Sequence, residues 1–542
     1  MHLRSAFLFF MTTANEIVDV VIVGAGFSGL YLLHRCRQLG LSARVWEAGA
    51  GVGGTWYWNR YPGARCDIES MQYSFEFDDG LQQEWNWSER YAPQPEILSY
   101  AEHVAERFEL LSDIDFERPV TSACFDEKVN TWTLTCATGE VLTARYCIMA
   151  TGCLSKPNWP KIEGYDAFKG TILHTALWPH ESVELRGKRV AVIGTGSSGI
   201  QSIPRIAEVA EHMTVFQRTP NYSIPAQNRP LEPDEVADIK ANYAQLRARA
   251  KTRSVGIEGR YNSGSVFEVS EAERQAEFER RWAEGGLTFT ASFGDLMLSK
   301  EANDTLVAFV HGKIREIVED PVIAAKLCPG NIIGGKRVCV DTDYYATYNR
   351  DNVELIDIRE SPITAIVENG VQVGDTRHVA DYIVVATGFD AMTGALNAID
   401  IRGRGDQSLR DLWREGPRSY LGLAMAGFPN LFTVTGPGSP SVLSNMLLSI
   451  EQHVEWITDC IAYTTQQGHS TVEATESAEK DWWNHVQEAG QIGLKHSTDS
   501  WYLGANIEGK PRVFMPYLGG CPAYRKKCEE VVADGYAGFE FG

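Results

Sequence analysis

Ile17-Val18-Asp19-Val20-Val21-Ile22-Val23-Gly24-Ala25-Gly26-Phe27-Ser28-Gly29 is a short apolar run that breaks into a G-x-G-x-x-G turn. The run Ile17–Val23 predicts a buried strand, the pattern over Leu30–Leu39 a helix, and Ala43–Glu47 a second strand. Together they make a β-α-β unit. In such a turn Gly24 permits the tight bend, Gly26 lets a pyrophosphate approach the backbone, and Gly29 lets helix and strand pack closely. Ser28 lies beside the helix N-terminus, whose free N–H groups meet the phosphates. Glu47 closes the second strand, where a carboxylate accepts hydrogen bonds from ribose hydroxyls. A lone glycine turn is a weak signal; strand, glycines, helix and terminal acid agreeing in order make a specific one.

The same grammar returns further along. Arg189–Ile193 predicts a strand, Gly194-Thr195-Gly196-Ser197-Ser198-Gly199 a second glycine turn, Gly199–Ala210 a helix and Met213–Gln217 the next strand. This strand ends in Gln217-Arg218-Thr219 rather than in an acid. Arginine pairs with a 2′-phosphate where an acid would repel it, so the site favours NADPH over NADH; the plainer reading is a surface arginine at a strand end. Two dinucleotide folds imply two dinucleotides, FAD at the acid-terminated site and NADPH at the arginine-terminated one. Ala150-Thr151-Gly152 and Ala386-Thr387-Gly388 each follow an apolar run and read as strand-end links between the two units.

The fold class expected is therefore α/β, with two Rossmann-like domains and a helical insertion in the second. The boundaries read from the sequence are 1–152 and 389–542 for the two parts of the FAD domain. The NADP domain takes 153–225 and 335–388. The insertion takes 226–334, where Glu271–Trp282 and Glu301–Val318 have helical period. Further strands are expected at Val338–Val340, Val353–Ile358 and Tyr382–Ala386, and a helix at Ser444–Tyr463.

The bulk composition narrows the function. The net charge of −21 excludes the basic face a nucleic-acid partner needs. The 14 Trp suit a protein that surrounds flat, conjugated cofactors. The 11 Cys are scattered, with no C-x-x-C and no metal-ligand spacing, so no metal is expected and a reducing, cytoplasmic setting is. No stretch reaches the roughly 18 apolar residues of a membrane span. The apolar run Ala6–Met11 is shorter than a usual signal segment, and Met11 is an alternative start. Oligomeric state is open, with a monomer the simplest expectation.

Phe168-Lys169-Gly170-Thr171-Ile172-Leu173-His174-Thr175-Ala176-Leu177-Trp178-Pro179 fits F-x-G-x-x-x-H-T-x-x-W-P at every fixed position: Phe168, Gly170, His174, Thr175, Trp178 and Pro179. This is the fingerprint of the Baeyer–Villiger monooxygenases, and the chain resembles that family over almost its whole length. The segments Gly53–Asp67, Gly335-Lys336-Arg337, Ala386–Asp390, Ser444-Asn445-Met446 and Ser500-Trp501-Tyr502 are similar to the phenylacetone and steroid enzymes of the family. One departure is Thr55, where the phenylacetone enzyme has valine.

The resemblance implies that NADPH reduces FAD, that reduced flavin takes O2 to a C4a-peroxyflavin, and that this attacks a ketone to give an ester or lactone. Sulfide oxidation is an implied side activity. By the same resemblance Arg337 is the fixed catalytic cation, suited by its permanently charged planar fork, and Asp67 is its counter-ion. Flavin contacts fall on Thr55, Trp56, Tyr57, Trp58, Asp67, Tyr73, Val120 and Met446, beside the first turn. Coenzyme contacts fall on Arg65, Asp67, Gln201, Arg218, Thr219, Lys336, Arg337 and Trp501, beside the second. Ser441, Val442, Leu443 and Met446 border the substrate. His174 is read as a structural hydrogen-bonder rather than a catalyst. The partners expected are a small ketone and O2. Three alternatives stay open: an N- or S-oxidising flavin monooxygenase, against which Trp178-Pro179 and Arg337 speak; an NADPH-dependent disulfide reductase, which would need a redox-active cysteine pair near the flavin that Cys521 and Cys528 do not convincingly supply; and a non-enzymatic NADPH sensor.

Overall fold

The computed structural model describes residues 17–542. The apolar run Ala6–Met11 and the alternative start at Met11 lie outside those residues. The first β-α-β unit comprises strand β1 (Val18–Val23), helix α1 (Phe27–Gln38) and strand β2 (Ala43–Trp46). β1 lies between β2 and the strand Val141–Met149, parallel to both. Its Val20, Val21 and Ile22 are fully buried, and each such side chain contributes about 1.5–3 kcal/mol on leaving water. The helix starts at Phe27, three residues before the periodic pattern suggested. Periodicity registers buried side chains, and Ser28 and Gly29 carry none that is apolar.

The second unit repeats the plan with strand β3 (Arg189–Ile193), helix α2 (Ser197–Ala207) and strand β4 (His212–Gln217). They belong to a five-stranded, all-parallel sheet completed by Val353–Asp357, Tyr382–Val385 and Thr171–His174. Between β4 and Val353 lie five helices, among them α3 (Tyr243–Lys251). Their Phe278, Leu306, Phe309 and Val310 pack in one cluster with Ile200, Ile203 and Ile206 of α2, so the helical stretch shares a core with the second sheet.

The antiparallel strands Val120–Asp126 and Thr131–Cys136 extend the first sheet beyond Val141–Met149, and a three-stranded meander occupies Ile363–Val379; neither was foreseen. The return segment adds Leu431–Thr433 beside Val141–Met149 and then the long helix α4 (Met446–Gln466), which packs on α1. No helix among the described residues is long and apolar enough to cross a membrane.

Candidate flavin and nicotinamide site

The three glycines of the first turn are glycine for different reasons. Gly24 has φ +108°, and a Cβ there would lie 2.7 Å from the Ala150 carbonyl oxygen. A Cβ on Gly29 would lie 1.9 Å from the Gly24 oxygen. Gly26 has ordinary φ −74°, and the nearest atom to an added Cβ is Gly54 Cα at 3.4 Å. Nothing in the chain therefore demands glycine at 26, whereas a pyrophosphate lying against the uncapped N-terminus of α1 would. Ser28 sits buried in that first helical turn.

Glu47 follows β2 and is 4% exposed. Its Oε2 accepts from Ala25 N and its Oε1 from Gly49 N, both at 2.7 Å. Burial pushes its carboxyl up, while the N–H donors of Ala25, Gly49 and Ala48 pull it down. Each oxygen keeps a lone pair for a ribose hydroxyl. The chain leading to Val120 passes alongside, with Arg118 N donating to the Glu47 carbonyl at 2.7 Å. Thr55, Trp56, Tyr57 and Trp58 form one short helix. Tyr57 lays its ring against Gly49 and Gly51, where a Cβ would approach it to 2.6 and 3.0 Å, and Trp56 Nε1 donates to Tyr73 Oη at 3.2 Å. These residues fit the adenosine and pyrophosphate of FAD.

The second turn fits another dinucleotide on the same grounds. Gly194 has φ +111° and would meet the Ala386 oxygen at 2.5 Å, while a Cβ on Gly196 would meet nothing within 4 Å. Thr195 Oγ1 donates to the Thr219 carbonyl at 3.1 Å. Ser197 Oγ lies 3.3 Å from Cys339 Sγ, Ser198 Oγ 3.2 Å from Thr175 Oγ1, and a Cβ on Gly199 would stand 2.4 Å from the Gly194 oxygen. Arg65 and Gln201 are turned to the protein: Arg65 donates to Glu89 and to the Tyr91 carbonyl, and the Gln201 amide joins the Arg65 carbonyl to Tyr61 Oη.

Arg218 is exposed and makes no salt bridge among the described residues. Lys336 is pulled below the ordinary lysine range by burial and then by the positive field of Arg218. Two cations close enough to repel suit a dianion such as a 2′-phosphate. Arg218→Ala is expected to raise the KM for NADPH tenfold or more, since a charge-assisted contact contributes about 1.5–3 kcal/mol, and to leave NADH nearly unchanged. Equal loss with both coenzymes in steady-state kinetics would disprove the assignment. Because the folded pKa of Lys336 is lowered, its charge is lost at a pH below that of a free lysine. The NADPH preference over NADH should therefore fall as pH rises into that range.

Where the two units meet stands Arg337. Its Nε donates to Asp67 Oδ2 at 2.5 Å and its Nη2 to Asp67 Oδ1 at 2.9 Å. Nη1 donates to the Val442 carbonyl at 2.7 Å. Three of five N–H donors are thus fixed, and the Tyr502 hydroxyl lies within reach of the guanidinium. Asp67 holds the guanidinium charged, well above the usual arginine range, against burial that acts the other way. Val442 belongs to an apolar cluster with Tyr502, Phe514 and Met515, against which Leu443, Met446 and Trp501 pack. A fixed cation therefore borders a largely apolar wall.

A family model described as pyridine nucleotide-disulphide oxidoreductase matches residues 21–304. A phenazine N-monooxygenase of Lysobacter antibioticus is 42% identical, with 96% of each chain covered. A Baeyer–Villiger monooxygenase of Pseudooceanicola batsensis is 40% identical over 97% of this chain and 96% of its own. A solved structure of oxidised steroid monooxygenase bound to NADP is 51% identical, with TM-score 0.93 and coverage of 97% and 99%. The chain belongs to the Baeyer–Villiger monooxygenases. As a member of that family it is an FAD- and NADPH-dependent flavin monooxygenase.

The family fingerprint can now be placed. Thr171–His174 is the edge strand of the second sheet, paired with Tyr382–Val385. Phe168 and Trp178 are buried, Pro179 follows, and a Cβ on Gly170 would meet the Asp381 carbonyl at 2.2 Å. His174 Nδ1 accepts from Ala176 N at 3.0 Å, and Nε2 points to the Asn158 carbonyl at 3.4 Å. Burial lowers its pKa, which favours the neutral ring. The fingerprint thus touches both the NADP turn, through Thr175, and the interdomain link, through His174.

Sequence reasoning missed Asn158, the centre of that link. Its carbonyl also accepts from Thr387 Oγ1 at 2.5 Å, and its N–H donates to the Gly388 carbonyl at 2.9 Å. It missed Lys495 as well, whose Nζ donates to the Gly334 carbonyl at 2.8 Å. Burial and the nearby Arg337 bring this lysine down to about 8. Neither residue carries a motif; tertiary neighbours alone reveal them. Cys521 and Cys528 lie on one helix, both as free thiols, and join different clusters, Cys521 with Ala250 and Leu448, Cys528 with Tyr524.

Proposed function

We propose that this monooxygenase inserts oxygen beside the carbonyl of a ketone, whether cyclic, linear, aryl or steroid, to give an ester or lactone, and that sulfides are side substrates. The observation that carries the reading is Arg337, held by Asp67 and Val442 with an N–H donor left beside the apolar cluster. FAD, when bound, supplies the oxygen-activating redox chemistry, and NADPH the hydride. The residues do the rest. Glu47 and the first glycine turn hold the flavin nucleotide, and Arg218, Lys336 and the second turn hold the coenzyme. Asp67 fixes the guanidinium in advance, so its remaining N–H already points where negative charge develops on the carbonyl oxygen. Val442, Leu443, Met446 and Trp501 exclude water from that place. Ser441 lies beneath them with Oγ on the Thr435 carbonyl at 3.0 Å.

The N-monooxygenase relative favours a second reading. That protein is named for oxidation of a phenazine nitrogen, so a heteroaromatic nitrogen is the second substrate class to test. We take the ketone as primary because a fixed cation serves a developing oxyanion, which attack by a neutral nitrogen does not form. The test is a panel of cyclic, aryl and steroid ketones, thioethers and aza-arenes with NADPH in air, followed by product mass and NMR. Ester or lactone from any ketone supports the proposal; N-oxide alone overturns it. The domain boundaries given above, action as a monomer on freely diffusing ketone and O2, and a cytoplasmic setting belong to the same proposal.

A further inference from the structure

Two cavities lie between the flavin loop and the helical stretch. One, of about 300 Å³, reaches Asp67. The other, of about 230 Å³, has an apolar side formed by Met71, Tyr243, Leu246, Ala250 and Leu448 and a polar side that includes Glu76, Arg247 and Glu451. Glu69, Gln72, Glu258 and Gly259 border both. Glu451, on α4, is 3% exposed. Its Oε1 accepts from Glu76 N at 2.8 Å and Phe77 N at 2.9 Å. Its other oxygen has no hydrogen-bond partner among the described residues.

The charges around it are committed elsewhere. Arg247 donates to the Gln72 carbonyl at 2.9 Å and to Ser74 Oγ at 2.7 Å. Glu76 pairs with Lys251, Glu455 accepts from Tyr31 Oη at 3.1 Å, and Tyr100 Oη accepts from Phe75 N at 3.0 Å. Glu69 pairs with Arg90 and Glu258 with Arg249. With Oε1 filled as an acceptor, the proton of a neutral Glu451 sits on Oε2, the oxygen left to donate into the chamber that Glu451 lines.

We propose that this chamber binds a small apolar molecule carrying one carbonyl acceptor, a ketone or ester, held by donation from Glu451 Oε2 and placed next to the cavity that reaches Asp67. It is a holding site for substrate or product, distinct from the wall around Val442. Burial pushes the Glu451 carboxyl up to about 8, helped by the negative field of Glu76 and Glu455 and opposed by Arg247. The donor is therefore present below that pH and lost as pH rises through it.

The inference rests on the ketone reading only for its choice of probe. The experiment is ¹⁹F NMR titration of the oxidised holoenzyme with FAD and NADP⁺, which cannot turn over. The probes are 4-fluoroacetophenone, methyl 4-fluorobenzoate and, lacking the carbonyl, 1-ethyl-4-fluorobenzene. Wild type should show a second binding event for ketone, ester or both, and the relative affinities tell substrate from product. The hydrocarbon should lack it. Above pH 8 the event should weaken by about tenfold per unit. Glu451→Gln keeps an acceptor and a donor in the same places, so its binding should persist at all pH. Leu246→Trp fills the chamber and should abolish the event while flavin stays bound. Hydrocarbon binding equal to ketone, a pH-independent wild type, or an unchanged Leu246→Trp would each overturn the proposal. Should Leu246→Trp fail to fold, the pH contrast between wild type and Glu451→Gln decides alone. Absence of ketone oxidation alongside intact second binding would sink the proposed function and spare this site.

Discussion

Arg337→Ala is expected to lower ester formation by about 10²–10³-fold, the usual loss when a prepositioned oxyanion donor is removed. The flavin should remain bound, because the contacts assigned to its nucleotide lie at Glu47 and the first glycine turn. NADPH should still be consumed slowly, and the oxygen taken up should leave as hydrogen peroxide, because nothing then steadies attack on the carbonyl. The variant also strands Asp67, whose side chain is only 24% exposed. Breaking a fully buried pair costs about 3–5 kcal/mol, and partial exposure makes the cost here smaller, so a modest drop in Tm with a folded, yellow protein is the expected background. Arg337→Lys should recover only part of the activity. A point charge cannot hold both Asp67 oxygens and the Val442 carbonyl at once. Product analysis with peroxide quantification is the measurement. Ester formed at near wild-type rate by Arg337→Ala would reduce the arginine to a coenzyme anchor.

Two alanine substitutions in the first glycine turn should fail in opposite ways. Gly26→Ala should give a folded, soluble protein without yellow colour. Its backbone φ of −74° accepts alanine, and the nearest protein atom stands at 3.4 Å, so only a pyrophosphate is displaced by the new methyl. Gly29→Ala should fail to fold, because its Cβ would lie 1.9 Å from the Gly24 carbonyl oxygen and neither helix nor strand can yield that much. Flavin absorbance and circular dichroism of the two proteins separate the cases. A fully flavinated Gly26→Ala would remove the first glycine turn from the flavin site. Glu47→Ala should lie between them. It loses the ribose acceptor and also leaves the N–H groups of Ala25 and Gly49 without their partner, so both colour and stability should fall.

The sequence by itself determined the two nucleotide units, their order and their coenzymes. Those features are local: a strand, three glycines and a helix lie within 18–38, and the strand-end Glu47 or Arg218 follows at fixed remove. It determined the fingerprint for the same reason. The start of α1 was hidden by Ser28 and Gly29, which carry no apolar side chain, whereas the strands at 120–136 were legible in the alternation Thr131-Trp132-Thr133-Leu134 and were passed over. Only the tertiary structure decided what distant segments do together. Asp67 and Arg337 are 270 residues apart, and the Val442 carbonyl that completes the clamp lies 105 further on. The hub at Asn158, the lysine at 495 and the lone carboxyl of Glu451 are ordinary polar residues in the sequence. Their chemistry comes from burial and from which neighbours already hold each hydrogen bond, quantities that exist only once the chain has closed around them.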